Sequence, residues 1–199
     1  TVQKVIPKFT QFTINNKKFF NRDNIVFPAG VIAVGKAHIY DSTVPDVLLY
    51  EGEVKTKSYS SDTTQFREIY LEENGFNVSD EDVQVKITNV IQNVNEVWSR
   101  TRNGNAIWTA DPGEKVYYDS TSGLGDTIIT FGDGARGAVP PLGSSIDITY
   151  AITSGSAGNF GTSNIEVKSV ADGDITGSTV EIIKGGSDEK SAMFYKTMV

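Results

Sequence analysis

Runs of β-branched and aromatic residues recur along this chain, and turn residues interrupt them every 8–15 positions. That spacing leaves room for short strands, whereas an ordinary helix needs an uninterrupted periodic stretch of about 11 residues. In the first half Lys8–Ile14, Lys17–Phe20, Asn24–Phe27, Val31–Tyr40, Val47–Tyr59 and Phe66–Leu71 read as strands. Val83–Ile87, Glu96–Thr101, Lys115–Ser120, Thr127–Phe131, Ser145–Thr153, Ile165–Val170 and Thr179–Lys184 continue the series. Asn15-Asn16 tolerates the left-handed backbone of a hairpin turn, and Gly52 marks a bulge or bend within a strand run.

Only two stretches read as helical. One is short, around residues 88–95. The other is 187–199, where Ser187 is a fitting N-cap and Asp188 and Glu189 favour the positive end of the helix dipole. The expected fold is therefore mainly β, with antiparallel sandwich-like β subdomains, long ordered loops and a short C-terminal helix. A polar interruption near Gly75 suggests subdomains at 1–75 and 76–184, with 185–199 starting a linker helix. The first residue is Thr1 and the last helix is only three turns long, which reads as a fragment of a longer chain.

Composition excludes several functions. With 18 basic and 25 acidic residues the net charge is −7, and the cations are scattered, so no basic footprint for nucleic acid exists. The absence of cysteine removes disulfides, thiolate metal sites and thiol nucleophiles. No apolar run approaches the ~18 residues of a membrane-spanning helix, so membrane insertion is not expected. The compartment stays open.

The motif with the most chemical promise is Gly132-Asp133-Gly134-Ala135-Arg136-Gly137, which spells G-x-G-x-x-G after a strand-like run. A dinucleotide site needs a helix to start at the third glycine, because its N-terminal N–H groups hold the pyrophosphate. Here Pro140, Pro141 and Gly143 forbid that helix. The glycines instead read as shaping a 13-residue strand-to-strand loop, 132–144, with Asp133 in a turn role. His38 is the sole histidine and lies in a strand run without a nucleophile elbow, so it reads as structural. The acidic stretches at 78–83 and 171–177 miss the calcium-loop pattern and read as solvated turns. Asn77-Val78-Ser79 is one sequon, no more than chance provides. Trp98 and Trp108 flank a turn at 103–105; core packing is their default, and an interface or a sugar platform is the alternative. No catalytic residue, cofactor site or metal site emerges, and the reading is non-enzymatic.

Residues 128–165 resemble the signature of the baseplate J-like family, the wedge subunits of contractile phage tails (T-even-type wedges included) and related injection machines. The matching positions are Phe131, Gly132, Asp133, Gly134, Gly137, Pro140, Pro141, Gly143, Tyr150, Gly155, Gly158 and Asn159. Weaker likeness covers residues 6–20, 78–87, 116–127 and 184–191. The resemblance implies a structural role in a virion tail baseplate assembled in the host cytoplasm, as a central fragment that lacks the family's C-terminal region. It implies association with copies of itself, as a dimer within a ring, and with other baseplate wedge proteins. The signature glycines would be conformational, and loop 132–144 and the Trp98/Trp108 region would be contact candidates. The alternative is a carbohydrate- or receptor-binding β module of a tail fibre, which exposed, coplanar tryptophans would favour. A glycan-cleaving tail enzyme would need paired carboxylates in a cleft.

Overall fold

The computed structural model describes residues 3–14, 16–27, 48–73, 77–101, 107–122, 126–159, 166–169 and 176–178. Strands dominate them. The expected strands at 31–40 and 179–184, His38, the turn at 103–105 and the C-terminal helix lie outside the described residues. The chain forms two compact units, one made of Thr1–Glu53 with Ser154–Val199, the other of Val54–Thr153. The second unit is thus inserted into the first along the chain. The boundary read near residue 76 falls inside the inserted unit, between two strands of its sheet.

In the first unit β1 (Lys4–Ile6) pairs with β4 (Ile25–Phe27). A five-stranded sheet has the order β14 (Thr176–Ser178), β13 (Glu166–Ser169), β2 (Gln11–Ile14), β3 (Lys17–Asn21), β5 (Leu49–Glu51). β2 alternates as a half-buried strand should, with Phe12 and Ile14 inward and Gln11 and Thr13 partly exposed. Asn16 sits at φ 62, in the left-handed position the β2–β3 hairpin requires. Ile6, Phe12, Ile14 and Phe19 form the core, and Phe20 packs separately between Phe9 and Tyr50.

In the inserted unit a seven-stranded sheet has the order β6 (Glu53–Ser60), β12 (Ser145–Thr153), β8 (Asn77–Asn89), β9 (Val94–Arg100), β10 (Val116–Thr121), β11 (Thr127–Thr130), β7 (Glu68–Leu71). The residues around 88–95 are the tip of the β8–β9 hairpin and not a helix. One pair, β9–β10, is parallel, which hairpin spacing alone does not reveal. The sheet curls round a single core of Ile69, Leu71, Val85, Ile87, Trp98, Tyr117, Ile129, Phe131, Ile146, Ile148 and Tyr150, with Tyr59 of β6 packed against it. First and last strands therefore face the same apolar centre.

The two edges of that sheet are tied by side chains. Lys55 and Lys57 of β6 reach Glu73 beyond β7 at 2.6 and 3.0 Å, and the Tyr150 hydroxyl donates to the same carboxylate. Lys57 Nζ also donates to Glu72 O at 3.1 Å, and Arg67 to Ser60 O. Of the backbone groups along these edges, the Ser60 and Glu72 carbonyls are occupied in this way. Burial alone would raise the Glu73 pKa, but the Lys55, Tyr150 and Lys57 contacts outweigh it and hold the carboxyl at about 2. A depressed carboxylate stabilises the fold above its unfolded pKa near 4.5, and the contribution is lost as pH falls from there towards 2. Denaturant titrations at pH 7 and pH 2.5 are expected to show an acid loss of up to about 3 kcal/mol that Glu73→Gln removes. An unchanged acid slope in that variant would contradict the assignment.

Candidate functional site

The loop between β11 and β12 is heavily constrained by hydrogen bonds. Phe131 enters it fully buried, edge-on to Trp98 at 5.7 Å between ring centroids. The loop then folds on itself: Gly132 N–H donates to Ala138 O at 3.2 Å and Gly134 N–H to Gly137 O at 2.9 Å. Asp133 Oδ1 accepts from the N–H groups of Ala135 and Arg136 at 3.0 and 2.7 Å, closing an Asx-type turn. β12, not a helix, follows the loop, so the geometry a pyrophosphate needs is not built here.

Two neighbouring segments are stitched to this loop through backbone groups. Phe66 N–H donates to Gly132 O at 3.1 Å and Phe131 N–H to Arg67 O at 3.1 Å. Gly137 N–H donates to Asp111 O at 3.1 Å and Ala138 N–H to Glu114 O at 2.7 Å. Further on, Gly143 N–H meets Ser61 O at 3.0 Å, Ser61 N–H meets Ser144 O at 2.8 Å, and the Ser61 hydroxyl donates to Pro140 O at 2.7 Å. Pro140 is buried and Pro141 partly so; neither ring could supply the N–H that its neighbours give. The loop is a strap pinned at both ends.

The glycines act in different ways. A Cβ on Gly132 would lie 2.2 Å from Arg136 O and 2.3 Å from Gly137 O, so the turn closes only over a hydrogen atom. Gly134 and Gly143 have open space but left-handed φ of 93 and 73. Gly137 combines φ 73 with Ile107 Cδ1 at 3.0 Å from its would-be Cβ.

Of the remaining signature residues, Tyr150 lies in β12 and the last three belong to the other unit. Gly155 (φ 58) and Gly158 form a 3-10 turn that Asn159 follows in extended backbone. The Glu51 carboxylate holds this turn, accepting from Ser154 N–H at 3.0 Å and from the Ser154 hydroxyl at 2.7 Å. A Cβ on Gly158 would press on Glu51 Cδ at 2.8 Å. The run 131–159, continuous in sequence, therefore shapes two separate turns in two units.

The tryptophans separate as well. Trp98 is 4% exposed and packs in the core, so it offers no surface to a partner; the interface role expected for it is withdrawn. Its Nε1 is buried with no hydrogen-bond partner among the described residues. Trp108, on a 3-10 turn at Ile107–Thr109, is 58% exposed. Phe66 lies against it at 4.8 Å between centroids, with the Arg136 guanidinium 5.7 Å from its ring centre. The coplanar pair that a two-tryptophan sugar platform needs is not formed. Nothing in the sequence spacing signalled that Phe66 and Arg136 join Trp108, because three distant segments meet only through the stitched loop.

The ion pairs are structural in character. Arg100 grips Asp119 with both Nε and NH2, the latter 2.6 Å from Oδ2, across the parallel β9–β10 pair. Tyr117 donates to Val83 O at 2.9 Å, and burial, with Asp119 nearby, pushes its hydroxyl up to about 12. Among the described residues no three His, Cys, Asp or Glu side chains come together to hold a metal ion. No helix among them is long and apolar enough to cross a membrane. Comparison with protein-family models and with curated proteins finds no match for the chain.

Proposed function

We propose that the chain is a structural subunit of a contractile-tail baseplate or of a related injection machine, with no catalytic role. It joins copies of itself and neighbouring wedge proteins through loops of the inserted unit. The observation that carries this reading is the strap at 131–144. Its residues resemble the baseplate J-like pattern, and its hydrogen bonds hold it in one shape. A loop pre-organised in this way presents a rigid surface at little entropic cost, as an assembly contact requires. Trp108, Phe66 and Arg136 stand beside it, and these residue types anchor many protein interfaces.

The tail-fibre alternative loses ground with the burial of Trp98, since a lone exposed tryptophan makes a poor saccharide platform. Immunogold labelling of intact tail particles with antibody raised against residues 1–199 tests the proposal. Label in a ring at the distal end of the tail is expected. Label confined to fibres, or no label on particles, overturns it.

A further inference from the structure

The half-exposed Trp108 indole gains its aromatic neighbour at a conformational cost. Phe66, whose ring lies 4.8 Å from it, holds a left-handed backbone at φ 50. A bulky side chain is strained there, and glycine would not be. Thr63, in the same loop between β6 and β7, is left-handed too, at φ 62. The hydrogen bond that pins position 66, from its N–H to Gly132 O at 3.1 Å, needs no side chain. What the phenyl ring adds is a second apolar wall beside Trp108, tilted 45° to the indole. Backbone strain retained for a surface feature is characteristic of ligand clamps.

The cation beside the indole is unpaired. Arg67 holds Asp62 at 3.3 Å and Arg100 holds Asp119, whereas the exposed Arg136 has no carboxylate partner among the described residues. This is so in a chain with 25 acidic and 18 basic residues. The acids that the strap brings near are turned to backbone groups. Asp133 Oδ1 accepts from the Ala135 and Arg136 N–H groups, and Glu114 Oε2 accepts from Asp111 N–H at 3.0 Å. The guanidinium, 5.7 Å from the centre of the Trp108 ring, therefore keeps its planar fork of N–H donors for an external acceptor. That fork matches a carboxylate, which it meets with two parallel bonds.

An unpaired guanidinium beside two apolar rings selects one ligand chemistry, a carboxylate carried next to an apolar side chain. A polypeptide supplies both within two or three residues. An acidic sugar supplies the carboxylate, but the tilted rings give its flat face no platform. We infer that Trp108, Phe66 and Arg136 form a docking site for an acidic segment of a partner protein, with an Asp or Glu on Arg136 and an aliphatic or aromatic neighbour against the two rings. This names the partner chemistry for the contact role proposed above and rests on that reading; the test uses no tail particle, so either can fail alone.

Selection of random peptides of about a dozen residues on the immobilised full chain, with counter-selection on Trp108→Ala, tests it. Enriched peptides are expected to carry Asp or Glu next to an aliphatic or aromatic residue. In fluorescence anisotropy, Arg136→Gln and Trp108→Ala should each weaken the strongest peptide at least ~10-fold, and Phe66→Gly at least ~5-fold. Circular dichroism of each variant is expected to show the parent fold, as these exposed or half-exposed positions allow. Lys86→Gln, which removes a cation of β8 outside the site, should leave affinity unchanged. Selection repeated on Arg136→Glu should turn the preference from Asp and Glu to Lys and Arg. No enrichment, enrichment without Asp or Glu, or a preference unchanged on Arg136→Glu overturns the inference. Tighter binding of a uronate-bearing polysaccharide than of any peptide overturns it as well.

Discussion

Replacing Gly132 with alanine is expected to destabilise the inserted unit by about 3 kcal/mol, while the same change at Gly134 costs only about 1–2 kcal/mol. The two glycines lie two residues apart in one turn, yet the physics differs. At Gly132 a methyl group would overlap the Arg136 and Gly137 carbonyl oxygens at 2.2 and 2.3 Å. Both oxygens belong to backbone that the loop's hydrogen bonds hold, so relief requires breaking the Gly132–Ala138 and Gly134–Gly137 contacts. At Gly134 the methyl group meets nothing within 4 Å, and only the strain of φ 93 remains. Denaturant unfolding of the two variants checks the difference. Equal costs would show that the glycines serve backbone conformation alone and that the turn is not closed as described.

Phe131→Ala is expected to cost about 3–5 kcal/mol, as deletion of a fully buried ring ordinarily does. The ring is completely enclosed and sits edge-on to Trp98, so its loss also exposes the indole to a cavity. Trp98 fluorescence should change its emission in the folded variant, while Trp108→Ala, with its ring largely in solvent, is expected to stay within about 0.5 kcal/mol of the parent. A near-neutral Phe131→Ala would mean that the strap is not anchored in the core.

Local chemistry made the strands legible. Ser145–Thr153 runs over the residues its alternation marks, because one of its faces is buried and period two records that directly. The left-handed Asn16 and the interruption at Gly52 were equally plain, since each depends on a backbone conformation that few residues adopt. Non-local features were not. The parallel β9–β10 pair is set by a crossover, and the pairing partner leaves no mark on either strand. The unit boundaries fall after Glu53, the first residue of β6, and after Thr153, the last of β12, where no break in composition marks them, whereas the polar stretch near residue 76 only links β7 to β8. Val90 and Ile91 fall in the stretch around 88–95 that reads as a short helix, because burial and exposure of an aliphatic residue read alike in one dimension. The strap was legible as a loop from its prolines, but its stitching to Ser61, Phe66 and Asp111 appears only in three dimensions.

An electron cryomicroscopy density of the assembled tail is the most direct test of the central claim, that this chain builds a baseplate through its rigid strap. The account predicts density for residues 54–153 within the ring at the distal end of the tail, with the 131–144 strap and Trp108 against protein of another subunit. Density that places the chain outside the baseplate, or that leaves the strap and Trp108 facing solvent in every copy, would contradict it.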